Sequence, residues 1–526
     1  MVQFNRRQFL ALSAAPLVAA PTETPRIGFV PSTHSKLRRP SGLEDPLDYE
    51  RVRDMVWKAI EYAGGFGDRI KPGSWVVVKP NIVFLRPFSG YRPGDITDLR
   101  VTKAVLEYVA RNSRAGRITV AEGGSYRSVK DKDDRNAVKQ NGVRVDAGTF
   151  DWGPDEFPGF DGSINGMLQS FGREFAGRRF DYVDLAYDTV RDDRGEFKRI
   201  HVPKAPNGQG AFGERPDYFV TNTITGCDFL VSVPVMKIHL QCGITACLKN
   251  YVGTAPREAY NPRNGAFHNQ YLHSDHSLEG RIDSFITDLA AFHPPDFCVV
   301  DALQGLQYQE HNAGLSDQAV RCNSIVAGRD AVLTDAFLAK LMGFNPWDID
   351  FLHMAQRRQM GSMDLGRVQM NGDDPAPHVR VWGKPRDWWG RCNREWRIAS
   401  GDKAPLKSWR RIETPGDTLT FSRYFQHPQS VYTAAVRVLS DGASKAYLWL
   451  GTRGKVTASL NGQQVMQEEN ITRYRIGQFQ RPVELRSGEN LLVFRVEASA
   501  GEPQLSAILC GPRNDGDNLE GIRWIA

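Results

Sequence analysis

The order of apolar runs between Pro25 and Gly361 restricts the fold more than any other feature of the chain. Short β-rich segments at 75–79, 117–121, 228–233 and 296–300 alternate with stretches of helical spacing. One helical stretch, 100–111, places Val101, Val105, Leu106 and Val109 on one stripe, and another runs from Asp335 to Met342 and is closed by Gly343. Strands separated by helices pair in parallel, because the connection that returns to the same edge is long enough to hold a helix. The expected fold class is α/β, with a mainly parallel sheet and helices on both faces. Ligands of such sheets collect beyond the carboxyl ends of the strands. Polar clusters follow these strands directly: Lys79-Pro80-Asn81, Glu122-Gly123-Gly124-Ser125, Lys237-Ile238-His239 and Asp301.

The 526 residues suffice for two to four domains. A net charge of +6 over this length is mild and lacks the concentrated basic footprint of a nucleic-acid binder. Residues 1–20 read as a twin-arginine export signal. Arg6-Arg7 precedes an apolar run and the small pair Ala19-Ala20. The run is too short to span a bilayer comfortably, so the expectation is cleavage near Ala20, no membrane span afterwards, and a periplasmic or secreted protein. The seven cysteines form no CxxC pair, which argues against a zinc ribbon, an internal iron–sulfur cluster or a dense disulfide framework. No GxGxxG, GxxxxGK[ST] or GxSxG pattern opens a helix, so dinucleotide binding, P-loop hydrolysis and serine-hydrolase chemistry are disfavoured.

Between about 136 and 217 the pattern gives way to Gly-, Asp- and Phe-rich text, read as an insertion into a domain spanning 25–370. A Pro-, Trp- and Arg-rich stretch at 371–417 reads as a linker. From 418 to 526, short strands with period-two alternation and turns such as Asn461-Gly462 and Ser487-Gly488 predict an antiparallel β-sandwich. Its text resembles the galactose-binding-like sandwiches appended to secreted carbohydrate-active enzymes. That resemblance implies sugar binding; a structural brace or a dimer contact is the alternative.

The ordered motifs KPN (79–81), TDLRVTKAV (97–105), AEGG (121–124), CDFLVSVPVMKIH (227–239), TACLKNYVG (245–253) and AGRDAVLTDAFLAKLMG (327–343) resemble the DUF362 family over most of 25–365. That family is named for its unknown function and is sometimes found beside iron–sulfur modules. A second resemblance is to the lactate racemases with a nickel-pincer cofactor, which bind a pyridinium-derived ligand through a lysine. The counterparts here would be Asp98 and Arg100, 124–127, Cys227-Asp228 through His239, Lys249 ten residues on, and His268 or His273 downstream. Two positions depart from that pattern. Tyr126 stands where the other catalytic histidine is expected, and Asn250 replaces the glycine-rich context of the lysine. A racemase working from both faces of a carbon needs a base on each, so this departure weighs against racemisation in particular.

The run Val233–Gly253 is mostly apolar yet carries Lys237, His239 and Lys249, residue types that a buried strand excludes unless they are paired or used. His239 and Lys249 are expected to serve in proton transfer or cofactor attachment, with Lys237 and Glu122 as further catalytic candidates. Lys79, Asn81, Asp98, Arg100, Asn250 and Asp301 are the candidates for gripping a small anionic or carbohydrate substrate. The ordinary alternatives are a hydrogen-bonded structural histidine and lysines held in ion pairs. His239, His268 and His273 would supply ligands to a divalent metal, with nickel, iron and zinc all open. The leading expectation is an exported isomerase or lyase acting on a hydroxy acid or sugar acid. A non-catalytic periplasmic carbohydrate binder and a redox accessory protein stand as alternatives.

Overall fold

The computed structural model describes residues 24–525 except 67–68, 86–90, 124–137, 161, 214–215, 261–281, 345, 347–348, 384–392, 402–407, 415–417, 470, 473, 475–476, 500, 515–518 and 520. The expected export signal, Tyr126, His268 and His273 therefore lie outside the described residues. No helix among the described residues is long and apolar enough to cross a membrane. The chain divides into two compact units, with the main border between 383 and 384 and the short stretch 349–350 grouped with the second.

The first unit is built on an eight-stranded sheet. Its strands are β1 (Arg26–Pro31), β2 (Trp75–Pro80), β3 (Arg117–Glu122), β4 (Arg179–Asp184), β5 (Phe229–Val233), β8 (Phe297–Leu306), β9 (Ala319–Gly328) and β10 (Gln369–Gly372); a separate hairpin supplies β6 (Lys237–His239) and β7 (Gly243–Thr245). The order across the sheet is β10-β1-β9-β8-β5-β2-β3-β4. Strands β8, β5, β2, β3 and β4 are mutually parallel, and β9 runs against both its neighbours. The sheet is thus mainly parallel, as the strand–helix alternation requires.

Alternate residues of each strand face opposite sides. Val76, Val78, Ile118, Val120, Phe229, Val231, Phe297 and Val299 meet helices α1 (Tyr49–Tyr62), α2 (Leu99–Asn112) and α3 (Ile164–Glu174) in one apolar core. The other face packs on α5 (Ala331–Leu341), where Phe337 lies edge-on to Phe29, and on the 3-10 turn Lys249–Thr254, beside which runs α4 (Ile282–Ala290). Acceptor side chains start these helices: Asp48, Asp98, Ser163 and Asp330 each take a backbone N–H of the first turn.

Two expectations about organisation change. The stretch read as an insertion contributes α3 and β4, so it completes the edge of the sheet. The stretch read as a linker holds β11 (Glu395–Ser400) and β12 (Arg410–Glu413), which pair with each other and, through β11, with β14 (Val431–Ser440) of the sandwich. In both places, edge strands with one wet face carry too many charges to read as strands.

The second unit is an antiparallel sandwich. Further strands are β13 (Leu419–Thr420), β15 (Ser444–Arg453), β16 (Lys455–Leu460), β17 (Gln463–Glu468), β18 (Phe479–Leu485), β19 (Gly488–Glu497), β20 (Gln504–Cys510) and β21 (Ile522–Ile525). One sheet has the order β12-β11-β14-β19-β16-β17 with β21 on β14, and the other β13-β20-β15-β18. Trp396, Leu448, Leu450, Phe494 and Leu505 are among the residues of the core between them.

Candidate active site

Lys79 is the last residue but one of β2 and Glu122 closes the adjacent β3, so parallel pairing brings these chain-distant charges to one end of the sheet. The Lys79 ammonium donates to Glu122 Oε2 (2.9 Å), to the Pro80 carbonyl (3.0 Å) and to Asn250 Oδ1 (3.1 Å). Glu122 in turn accepts the backbone N–H groups of Ile82 (3.0 Å) and Gly123 (2.9 Å). Asn250 returns its amide to the Lys79 carbonyl (2.9 Å) and to Ser232 Oγ (3.1 Å) on β5. Burial of a charge pair is tolerable only with this degree of hydrogen bonding.

The glycines around this knot are dictated by space. A Cβ on Gly253 would sit 2.5 Å from Glu122 Oε1 and 2.8 Å from Lys79 Nζ, and one on Gly123 would sit 2.7 Å from the Gly253 carbonyl. Gly253→Ala is expected to lower the melting temperature, at a cost of about 1–3 kcal/mol, because the fully used Lys79–Glu122 pair has nowhere to move. Gly172→Ala, in α3 with nothing within 4 Å, is the control and should leave stability unchanged or raised. Equal melting temperatures for the two variants would contradict the tight approach at Gly253.

A second pair lies on the β6–β7 hairpin. The Lys237 ammonium donates to Asp95 Oδ1 (2.8 Å) and to the Asp95 carbonyl, and Asp95 Oδ2 lies 2.6 Å from His311 Nδ1. Burial opposes the charge of Asp95, but Lys237 and His311 outweigh it and hold the carboxyl below the usual carboxylate range. At the end of β6, His239 Nδ1 accepts the Gln241 N–H (3.2 Å), while its Nε2 faces Glu310 Oε1 at 3.3 Å. Glu310 also accepts the Leu240 N–H (2.6 Å).

Lys249 stands apart from the other lysines. Its turn is fixed from α5, where Asp335 accepts the N–H groups of Cys247 (2.8 Å) and Leu248 (3.0 Å). Burial pushes the Asp335 carboxyl up to about 7. Lys249 itself is 8% exposed and makes no hydrogen bond or ion pair among the described residues. Burial lowers its pKa, and the charges of Lys237 and Lys79 act in the same direction against the pull of Cys242 and Glu310. Lys249 thus feels the charges of Lys79 and Lys237 and of Glu310.

Sequence reasoning puts Lys79, Asp98, Arg100, Asn250 and Asp301 on a substrate; in the structure the chain itself engages them. Arg100 forks onto Asp98 (2.6 Å at the closest) and donates to the Leu47 carbonyl (2.5 Å). Asp301 accepts the N–H groups of Asp98 (2.7 Å) and Leu303 (2.9 Å), and burial, with Asp98 nearby, lifts it to about 7. These groups build the start of α2 and the frame of the site. Asn81 differs. Its backbone is tied to Thr97, but its side-chain carbonyl is buried with no partner among the described residues. Asp95, Glu310, His311 and Asp335 escape sequence reasoning; the Gln-Glu-His string at 309–311, directly past a strand, is the one signal that marks two of them. Among the described residues no three His, Cys, Asp or Glu side chains are grouped to hold a metal ion.

No curated protein matches the chain. Among solved structures it is similar to a glycosyl hydrolase family 2 member from Bacteroides cellulosilyticus DSM 14838, with 16% identity and a TM-score of 0.19, over 23% of this chain and 20% of that one. It is also similar to the lactate racemase apoprotein from Thermoanaerobacterium thermosaccharolyticum, with 14% identity and a TM-score of 0.25, over 53% of this chain and 52% of that one. A family 35 carbohydrate binding module from an environmental isolate is similar at 16% identity and a TM-score of 0.14, over 18% of this chain and 70% of the module. The chain thus spans between a fifth and about half of the length of the hydrolase and the racemase. Residues 186–340, the segment that carries β5, the β6–β7 hairpin, Lys249 and His311, match the family model DUF362, a domain of unknown function.

Proposed function

We propose that the first unit is an enzyme that moves a proton on the carbon beside the carboxylate of a small hydroxylated acid, a hydroxy acid or sugar acid, in isomerase or lyase chemistry. The observation that carries this reading is Lys249: a buried amine, its pKa lowered, with no hydrogen bond or ion pair among the described residues, while Lys79 and Lys237 are held in ion pairs. An amine kept so is either a nucleophile or the seat of an anionic group. Asn81 offers a second unsatisfied polar group at the end of β2, suited to a substrate hydroxyl or carboxylate. His239, with Gln241 N–H on Nδ1, carries its ring hydrogen on Nε2, where it can donate a hydrogen bond.

The described residues gather no three ligands for a metal, and His268 and His273, expected beside His239 for that role, lie outside them. The resemblance to the nickel-pincer racemases implies a pyridinium-derived group on a lysine, and the Lys249 amine, buried and without a hydrogen bond or ion pair among the described residues, suits such an attachment. When bound, that group would supply an acceptor for charge leaving the substrate carbon. In the same reading the twin-arginine pattern supports a location outside the cytoplasm, and the mild net charge of +6 supports leaving nucleic acid out of its partners.

The test uses full-length protein purified after export in its native host. Intact and peptide mass, metal analysis and absorbance report any group on Lys249. A panel of 2-hydroxy acids, aldonic acids and uronic acids in deuterium oxide, followed by proton NMR, reports exchange at the carbon beside the carboxylate. Enzyme-dependent deuterium uptake by at least one acid is expected. No uptake across the panel, with unmodified Lys249, would overturn the reading.

A further inference from the structure

The loop that follows β8 departs from ordinary backbone geometry twice within four residues. Tyr308 and His311 both adopt left-handed conformations, at φ +70° and +66°. A bulky residue held there costs about 1–3 kcal/mol and persists only where its surroundings enforce it. Here the surroundings are explicit. Gln318, 3% exposed, donates its side-chain amide to the carbonyls of Gln309 (3.0 Å) and His311 and accepts the Ala313 N–H (2.9 Å). The Tyr308 hydroxyl bonds Asp317 (2.5 Å), and Phe84 packs on the His311 ring with centroids 4.1 Å apart.

What this framework holds still is one imidazole. Asp95, kept ionised by Lys237, accepts from His311 Nδ1, so that nitrogen carries the ring hydrogen and Nε2 keeps its lone pair. Nε2 has no partner among the described residues, and the side chain is 28% exposed. His239 offers the opposite arrangement, with both ring nitrogens engaged and its lone pair occupied by the Gln241 N–H. Glu310, next in the chain to His311, reaches His239, so one loop touches both imidazoles.

On the reading of this site as a proton-transfer enzyme, we propose that His311 is its catalytic base. The Nε2 lone pair takes the proton from the substrate carbon, and the C–H electron pair moves into the carboxylate to give an enediolate. The positively charged imidazole that results is stabilised by Asp95, and the proton returns to carbon from the same nitrogen. Asp95 and Lys237 are positioning residues. The base absent at Tyr126 is thereby supplied from a different strand end.

The experiment is the deuterium-exchange assay with the acid that the wild-type protein turns over. His311→Ala should slow exchange at least a thousandfold, and added imidazole should restore part of it; a merely structural histidine would show no such rescue. Asp95→Asn should lower the rate and move the acidic limb of the pH profile. In unaltered protein, diethyl pyrocarbonate followed by peptide mass spectrometry should mark His311 before His239 and stop exchange in proportion, so the idea is exposed even where a variant fails to fold. If Lys249→Met abolishes exchange while His311→Ala keeps the wild-type rate, His311 is not the base and the wider reading survives. If His311 resists the reagent in active protein, the base assignment falls as well. Absence of exchange with every acid removes both.

Discussion

Replacing Glu122 with glutamine is expected to cost the first unit about 3–5 kcal/mol of stability, a large share of the ~5–15 kcal/mol that holds an ordinary domain folded. Both side chains of the Lys79–Glu122 pair are 2% exposed. Glutamine keeps the shape and an acceptor for Ile82 or Gly123, but it leaves the Lys79 ammonium as an uncompensated charge in a dry interior. Lys79→Met fails for the mirror-image reason, stranding the carboxylate. The double variant Lys79→Met with Glu122→Gln removes both charges and should lose clearly less than the sum of the single losses. Urea unfolding of the full chain, followed by tryptophan fluorescence, measures all three. A Glu122→Gln protein within about 1 kcal/mol of wild type, or strict additivity in the double variant, would mean that the pair is not closed in solution.

That pair also shows where sequence reading stops. The ends of β2, β3 and β5 are legible because each is an apolar run followed by polar residues, and parallel pairing sends these ends to one side; β6 lies just past β5 on its own antiparallel hairpin. The sequence therefore expects Lys79, Glu122, Lys237 and His239 to share a neighbourhood. It does not say who pairs with whom. Lys79 finds Glu122 across 43 positions and Asn250 across 171, and no periodicity encodes such choices. As a result, three of the cations expected in the site, Lys79, Arg100 and Lys237, are consumed by the frame, and Lys249 alone of the four expected makes no ion pair among the described residues. His311 is hidden for another reason. The apolar run that betrays β8 ends at Val300, whereas the strand continues to Leu306 in polar company because β9 pairs with it, and this carries the next loop back over the site. Strand β4, Arg-Phe-Asp-Tyr-Val-Asp, is an edge with half-buried side chains, and it looks like the aromatic-rich text around it. The sandwich is the most legible part: its strands alternate faithfully, because one face packs on the core and the other is wet.

Lys249→Met should separate stability from activity. A lysine with a structural role loses an ion pair or hydrogen bonds when shortened to an apolar isostere, and the protein weakens. Lys249 has none of these among the described residues, and burial penalises its charged form. Its replacement by methionine, which fills nearly the same volume, is therefore expected to leave the melting temperature unchanged or to raise it, by an equivalent of about 1–2 kcal/mol. Turnover should fall in the same protein by at least a thousandfold, about 4 kcal/mol of lost transition-state stabilisation, because no neighbour can replace the amine: Lys79 and Lys237 are held in closed pairs. Lys249→Arg is the sharper comparison. It keeps a positive charge but cannot deprotonate, so retained activity in arginine with loss in methionine would assign the residue to holding an anion, and loss in both would assign it to covalent or proton chemistry. Thermal unfolding and the exchange assay on the same preparations decide the matter. A methionine variant that unfolds several degrees early, or one that turns over like wild type, would show that the amine is a structural element after all.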